Sequence, residues 1–391
     1  MALTDIWKKS PDQLAGKRLA QIIGFAGSGK LKDDSDASRE FRAYLSQVPS
    51  ALLVSYADQC LTNRFDDSGL ALQDVVNQLG RRLGFSVTEG RYRGARGEIG
   101  FDGIWRSPQG LDLIVEVKTT DAYRVDLNVI AGYRRSLLTS GQLSSEEPSS
   151  ILIVVGRQDT GDLEAQIRGS KHAWDIRLIS LDALCRLVRL KEDVEDPGTL
   201  GKIYDVLIPR EFTRVDGIID LVFTAAEEVR EETELESEGE ERKPKFVPVS
   251  FHEACVSRIQ RQLKLQLIKR SRATYATVDD SVVLICAVSR EHPSSSGSFY
   301  WFAFHPHQRD VLSKAVKGYV AFGCGSEATI VLIPFDTFKA WLEGMNITKK
   351  TDRFYWHVHI FRQGNDLVLH RKKGSPRIDL TQFRLGTEVT A

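Results

Sequence analysis

Apolar residues in the first half of the chain recur with the spacing of helices and strands in alternation. Over residues 69–83 they fall three and four positions apart, which predicts an amphipathic helix that ends at Gly84. Short strands are predicted over residues 101–105 and 111–117. The second strand is almost continuously apolar, which is typical of a strand buried on both faces.

The alternation continues after this strand. A helix over residues 126–138 and a buried strand over 151–155 are followed by a strand over 176–179 and a helix over 181–190. Strands that alternate with helices are typical of a sheet covered on both faces. The fold class we predict is therefore α/β, with a mixed sheet flanked by helices.

The pattern differs on either side of this region. Residues 1–64 read as short helices, and residues 224–245 combine many glutamates with few apolar side chains, as a linker does. Beyond them, a long helix over residues 251–269 and several strands indicate a second, α+β domain. The predicted parts are a helical N-terminal segment, an α/β domain, a connector with the acidic linker and an α+β C-terminal domain, over residues 1–64, 65–190, 191–245 and 246–391.

The composition is that of a soluble globular protein. Of the 391 residues, 42% are hydrophobic and 27% are charged, and no apolar run approaches the roughly 20 residues that span a bilayer. The N-terminus lacks the pattern of a signal peptide, so we expect a cytoplasmic protein. The odd number and wide spacing of the cysteines favour buried thiols over disulfides. These cysteines are Cys60, Cys185, Cys255, Cys286 and Cys324.

The net charge is zero, but it is unevenly distributed. Residues 243–391 carry 22 Lys and Arg against 12 Asp and Glu, whereas glutamates are concentrated over residues 227–241. A basic C-terminal half favours contact with a polyanion, although an ordinary solvated surface has the same composition. The basic side chains that we expect to contact phosphate are Arg258, Arg261, Lys264, Lys269, Arg270 and Arg272.

Three charged residues lie on the predicted strands of the α/β domain. Glu116 and Lys118 are two positions apart, so they point to the same face of their strand, and Asp102 lies on the strand before it. Charged groups on an apolar strand are costly to bury unless they are paired or bind a metal. Two carboxylates on neighbouring strands suit Mg²⁺, with the Val117 carbonyl close by and Lys118 placed to orient a water. A buried ion pair of Glu116 with Lys118 or Arg96 is the structural alternative.

This pattern resembles the PD-(D/E)XK nuclease superfamily, which has the restriction-endonuclease-like fold. Asp102 matches the aspartate of the family motif, although Phe101 stands in place of the proline, and residues 114–118 (IVEVK) match the apolar-Glu-x-Lys strand. The resemblance covers residues 65–190 and is closest to the Mrr-like restriction branch. Gln73 falls where the family commonly has a glutamate on the helix before the sheet, and a neutral amide binds metal more weakly.

Residues 24–31 (GFAGSGKL) fit most of a Walker A phosphate-binding loop. Leu31, however, occupies the position where Ser or Thr would hold magnesium, and no convincing strand precedes the loop. We therefore interpret these residues as a surface loop, which argues against an ATP-dependent motor.

Histidines and aromatic residues are concentrated in the C-terminal domain. His357 and His359 share one strand face, and together with His305 and His307 they could form a zinc site, although such histidines more often lie on exposed strand faces. The aromatic runs favour core packing, with base stacking as the alternative. These aromatic residues are Tyr300, Trp301, Phe302, Phe304, Tyr355 and Trp356.

The predicted function is that of a Mg²⁺-dependent endonuclease, with Mn²⁺ as a substitute, that hydrolyses DNA phosphodiester bonds. Its catalytic group comprises Asp102, Glu116, Lys118 and Gln73, and its metal ligands are Asp102, Glu116 and Val117. The resemblance implies a role in prokaryotic restriction or anti-phage defence, a homodimer, and partner proteins from the same operon. RNA stays open as a substrate. The alternative is a catalytically inert nuclease-fold module that binds nucleic acid or senses a signal.

Overall fold

The chain divides into two compact units in the computed structural model. The first contains Met1–Asp193 and Gly198–Val222, and the second contains Val194–Pro197 and Phe223–Ala391. No helix among the described residues is long and apolar enough to cross a membrane. The described residues are 3–63, 65–93, 99–119, 125–144, 148–156, 161–194, 197–207, 249–294, 297–349, 354–364, 366–372 and 374–386.

The first unit begins with the helices expected for the N-terminal segment. Their apolar sides share one core with the long helix that follows, and this core includes Phe41, Tyr44, Leu72 and Val76. The N-terminal segment thus covers the outer side of that helix. The helices are α1 Leu3–Lys9, α2 Asp12–Ala15, α3 Leu19–Phe25, α4 Asp36–Gln47, α5 Ser50–Thr62 and α6 Ser68–Leu83.

A five-stranded sheet follows α6, with the strands in the order β1-β2-β3-β4-β5. The first two pairings are antiparallel, and the pairings of β3 with β4 and of β4 with β5 are parallel. The strands are β1 Ser86–Glu89, β2 Gly103–Arg106, β3 Asp112–Lys118, β4 Ser149–Val155 and β5 Ile176–Ser180. The remaining helices are α7 Leu127–Thr139, α8 Gly161–Arg168, α9 Leu181–Asp193 and α10 Pro197–Leu207.

Helices lie on both faces of this mixed sheet. Leu113 and Val115 of β3 pack in the core that contains α6 and α9, whereas Ile114 packs in the core that contains α7 and α8. Capping fixes both flanking helices: α6 ends at Gly84 in the left-handed conformation, and the Asp126 side chain accepts from two main-chain amides at the start of α7. The predicted α/β class is confirmed.

The second unit is also mixed α+β, as predicted. A five-stranded sheet has the order β12-β11-β8-β7-β6, and a six-stranded sheet has the order β16-β15-β14-β10-β9 with β13 also paired to β14. The helices are α11 Val249–Leu263, α12 Pro306–Lys314 and α13 Phe335–Trp341. The strands are β6 Ile268–Lys269, β7 Thr274–Ala276, β8 Val282–Ser289, β9 His292–Ser294, β10 Gly297–Phe304, β11 Lys317–Cys324, β12 Ile330–Pro334, β13 Asn346–Lys349, β14 Phe354–Gln363, β15 Asp366–His370 and β16 Ile378–Asp379.

Several elements of the second unit differ from the sequence prediction, and α11 and β11 are two of them. Helix α11 ends at Leu263, because Lys264 takes a positive φ of 54° that no helix continues. Strand β11 was not predicted, yet it pairs with β8 in parallel along its whole length. All five cysteines are free and buried, as predicted.

Candidate active site

The charged residues of β3 point to the α7 face of the first sheet. Because Ile114 lies on that face, Glu116 and Lys118, at alternate positions, lie on it too. The antiparallel register pairs Gly103 with Val115, so Asp102, one position before β2, lies opposite Glu116. The three residues predicted from the sequence are therefore neighbours at one end of β2 and β3.

Main-chain hydrogen bonds hold Asp102 in this position. Its N–H donates to the carbonyl of Val115 at 3.0 Å, and its Oδ2 accepts from the N–H of Val117 at 2.6 Å. The Asp102 carboxylate thus leans against β3, on the segment between Glu116 and Lys118.

Lys118 neutralises part of the acidic charge. Its Nζ donates to Oε1 of Glu116 at 2.5 Å, and both side chains are partly exposed. This contact is the ion pair between Glu116 and Lys118 that the sequence analysis gave as the structural alternative to a metal site. Arg96, the other candidate partner of Glu116, lies outside the described residues. Among the described residues, one lysine faces the two carboxylates.

Asp102 has a strongly shifted pKa. Burial, followed by the nearby charge of Glu116, raises its pKa from 3.8 to about 7, while the Val117 N–H and Lys118 act in the opposite direction. Burial and the Glu116 carboxylate thus favour the neutral form of Asp102. A divalent cation bound beside Asp102 would instead stabilise its charged form.

Gln73 and Asn77 hold the Asp102 main chain from α6. Nε2 of Gln73 and Nδ2 of Asn77 donate to the Asp102 carbonyl oxygen at 3.2 and 2.8 Å, and the Gly90 N–H donates to the same oxygen at 3.0 Å. Oδ1 of Asn77 also accepts from the Trp105 indole at 2.9 Å. The structure therefore places the Gln73 amide on the main chain of Asp102, and its hydrogen bond to that residue does not run to the carboxylate.

Tyr133 on α7 is a further neighbour of the site that sequence analysis missed. Burial raises the pKa of its hydroxyl, followed by the charge of Glu116, with a smaller contribution from Asp102 and an opposing one from Lys118. All three charged residues thus contribute to the shift in the pKa of its hydroxyl. No spacing rule links α7 to β3 in the sequence, because only the packing of the helix on the sheet brings them together.

The donor set can be compared with what metals require. Among the described residues, no group of three His, Cys, Asp or Glu side chains could hold a metal ion. The site has two carboxylates, those of Asp102 and Glu116. This number suits Mg²⁺, which commonly takes one or two carboxylates and keeps several waters. The same finding gives no support to a zinc site at His305, His307, His357 and His359.

The six basic residues expected to contact phosphate do not form one surface. Arg258 is buried and donates to the main-chain carbonyls of Glu327 and Gly386, the second at 2.9 Å. Arg270 pairs with Asp280 at 2.7 Å. Arg261 and Lys264 are exposed around the end of α11, whereas Lys269 and Arg272 are half-buried and close enough to His252 to lower its pKa, to which burial contributes most.

The loop with the Walker-like sequence binds a carboxylate of its own unit. Helix α3, not a strand, precedes the loop, and the N–H of Gly27 donates to Oε2 of Glu40 at 2.9 Å. In a phosphate-binding loop such amides face the phosphate instead. This contact agrees with the interpretation as a surface loop.

No protein-family model matches this sequence, and no curated protein matches it. Among solved structures, the chain is similar to the restriction endonuclease PspGI in its complex with substrate DNA. The sequences are 14% identical, the match covers 57% of this chain and 92% of that chain, and the TM-score is 0.22. Since a similarity at this level does not bear on function, we base the functional proposal on the geometry of the site.

Proposed function

We propose that the first unit is a divalent-metal-dependent nuclease of the PD-(D/E)XK type that hydrolyses DNA. The observation that supports the proposal best is the carboxylate pair of Asp102 and Glu116 with Lys118 beside it. Partial burial and the nearby charge of Glu116 raise the pKa of Asp102, and a cation between the two carboxylates would offset their repulsion.

Asp102 and Glu116 would hold the metal, with the Val117 carbonyl as a further oxygen donor. A bound Mg²⁺ would stabilise the charge that develops on the phosphate during hydrolysis. Lys118 is placed to orient the attacking water and to offset that charge. The Tyr133 hydroxyl on α7 would be available to donate to a phosphate oxygen.

The hydrogen bond from Gln73 to the Asp102 carbonyl supports a role different from that of a metal ligand. Together with Asn77, it fixes the carbonyl of Asp102 and so the position of the carboxylate. We infer that Gln73 is a positioning residue, which removes the difficulty that its neutral amide binds metal weakly.

The remaining parts of the proposal concern the setting of the enzyme. A homodimer would suit double-strand cleavage, and restriction or anti-phage defence would suit a DNA endonuclease of this type, with Mn²⁺ accepted in place of Mg²⁺. The alternative, an inert module that binds nucleic acid, is favoured by one observation, the Glu116–Lys118 ion pair at 2.5 Å.

Incubation of the full chain with DNA and RNA tests the proposal. We expect plasmid DNA to be cut with Mg²⁺ or Mn²⁺ and left intact with EDTA. Lys118→Ala should lower the rate by about 100-fold or more, since a group positioned for proton transfer and charge contributes at least that much. Lys171→Ala, at an exposed position of the same unit, is the control. No cleavage by the wild type or by Lys118→Ala, with equal binding of nucleic acid by both, would support the inert module.

A further inference from the structure

The residues that follow β1 contact both the candidate active site and the helices of the N-terminal segment. We call residues 90–93 the linking segment. The N–H of Gly90 donates to the Asp102 carbonyl oxygen at 3.0 Å. The two stretches of chain pass so closely that a Cβ added at Gly90 would overlap the carbonyl oxygen of Phe101. A displacement of the linking segment would therefore move the main chain of Asp102.

An aspartate of the N-terminal segment holds the main chain of the linking segment. Oδ1 of Asp33 accepts from the N–H of Tyr92 at 2.8 Å, and Oδ2 accepts from the N–H of Arg93 at 3.3 Å. Oδ2 also lies 4.0 Å from Nε of Arg91. One carboxylate, in the loop before α4, thus contacts three successive residues of the linking segment.

The side chain of Tyr92 is held by two helices. Its hydroxyl donates to Oδ2 of Asp74 on α6, and the guanidinium of Arg42 on α4 lies 4.8 Å from the centre of its ring. Nε of Arg42 donates to Oδ1 of Asp74 at 2.8 Å, and Nη1 donates to Glu89, the last residue of β1, at 2.9 Å. Arg42 therefore joins α4, α6 and β1 beside the linking segment.

The carboxylate of Asp74 is buried, since the residue is 2% exposed. A buried ion pair contributes little net stability, because the removal of both charges from water offsets their attraction. A hydrogen-bonded network in the interior does, however, fix the positions of its members. The main effect of the contacts between Arg42, Asp74 and Tyr92 is therefore to hold the linking segment in one place.

From these contacts we propose that four residues outside the site position Asp102 for metal binding. The positioning residues are Asp33, Arg42, Asp74 and Tyr92. They fix the linking segment, and Gly90 of that segment in turn fixes Asp102. The inference rests on the proposed nuclease function, because Asp102 is a metal ligand in that proposal. It gives the N-terminal segment a part in the reaction, although none of its residues touches the metal or the DNA.

Tyr92→Phe tests the link with little change in packing, because it removes one hydroxyl and keeps the ring. Tyr56→Phe is the matched control, since the Tyr56 hydroxyl lies 2.6 Å from that of Tyr44 in the core of the N-terminal segment. Both variants lose one buried hydrogen bond, so both should show a similar fall in Tm. In the full chain with Mg²⁺ and plasmid DNA, Tyr92→Phe alone should lower kcat by about tenfold, with KM within about twofold of the wild type.

Amide hydrogen exchange gives a second readout that does not depend on cleavage. In EDTA, Tyr92→Phe should speed exchange in the peptides that contain Gly90 and Asp102, as measured by mass spectrometry, because their hydrogen bonds open more often. Tyr56→Phe should leave exchange in those peptides unchanged. A wild type that does not cut DNA would refute the nuclease proposal, and exchange would then decide whether the linking segment holds Asp102.

Asp33→Ala provides a second variant should Tyr92→Phe fail to fold, because the Asp33 side chain is partly exposed. It should also lower kcat by about tenfold. Asp36→Ala, which removes an exposed carboxylate paired with Arg39, should leave kcat unchanged. With an active wild type, a kcat of Tyr92→Phe equal to that of the wild type or of Tyr56→Phe would overturn the proposal. With an inactive wild type, unchanged exchange at Gly90 and Asp102 would do so.

Discussion

Asp102 determines the chemistry of the site through its surroundings. Its carboxylate is partly buried and lies opposite Glu116, and among the described residues the positive charge near it is that of Lys118. In the folded chain the pKa of Asp102 is about 7, whereas its ordinary pKa is 3.8. At a pH between these two values, the folded state keeps a proton on Asp102 that the unfolded state has lost. The resulting stability is present at acid pH and is lost as the pH rises through about 7.

Asp102→Asn should therefore stabilise the protein without metal, and only at higher pH. In EDTA we expect its Tm to exceed that of the wild type at about pH 8, with the difference shrinking towards about pH 5. Scanning calorimetry across this range is the measurement. Asp182→Asn, which removes an exposed carboxylate paired with Arg186 on α9, is the control. A difference in Tm that does not depend on pH would contradict the assigned pKa.

Gln73→Glu separates a positioning role from a metal-binding role. The side chain is 4% exposed and donates to the Asp102 carbonyl, so a carboxylate there would place two acceptors together. We expect a loss of about 1–3 kcal/mol in the free energy of unfolding and no gain in cleavage. Gln13→Glu, at an exposed position, should change neither quantity. Faster Mg²⁺-dependent cleavage by Gln73→Glu would show that position 73 reaches the metal.

At the scale of elements, α6 determines how the site is held against the sheet. The helix lies so close to β2 that a Cβ added at Gly80 would come within 2.6 Å of the Trp105 ring. Trp105 in turn donates to Asn77, which holds Asp102. The position of the Asp102 carboxylate thus depends on close packing between a helix and a strand.

Gly80→Ala should push α6 away from the sheet. We expect it to destabilise the first unit by about 1–3 kcal/mol, as overpacking does, and to lower cleavage through Asp102. Gly132→Ala on α7 is the matched control, since nothing lies within 4 Å of its added Cβ, and it should stabilise by about 0.5–1 kcal/mol. Thermal denaturation and cleavage rates of both variants give the answer, and equal stability of the two would contradict the close packing described for α6.

Periodicity alone was enough to predict α6, β3, β4 and α7. It was also enough to single out Glu116 and Lys118, because charges stand out on an apolar strand. Strand β11 was missed because Gly323, which leaves room for Cys255 and Val288, interrupts its apolar run. Tyr133 and the role of Asn77 could not be predicted, since they depend on which helix faces which end of the sheet.

For the whole molecule, the division into two units separates two kinds of chemistry. The carboxylate pair belongs to the first unit, and all six basic residues expected to contact phosphate belong to the second. The burial of Arg258 shows that a basic residue on α11 is not by itself a phosphate contact. Exposure, which the sequence does not reveal, divides these residues into two groups.

Salt dependence of DNA binding distinguishes those groups. Arg261→Ala and Lys264→Ala, at exposed positions, should each reduce the slope of log K against log salt by about 1. Arg258→Ala should leave the slope unchanged and lower the Tm, because the carbonyls of Glu327 and Gly386 lose their donor. An unchanged slope in both exposed variants would remove α11 from the DNA-binding surface.

The central claim is that Asp102 and Glu116 together hold a divalent cation, and binding of Mn²⁺ followed by electron paramagnetic resonance tests it most directly. For the wild-type full chain we expect one bound Mn²⁺, displaced by Mg²⁺. Glu116→Gln should weaken its binding by about tenfold or more, while Glu164→Gln, an exposed glutamate of α8, should leave it unchanged. Mn²⁺ binding of equal strength in the wild type and Glu116→Gln would contradict the account.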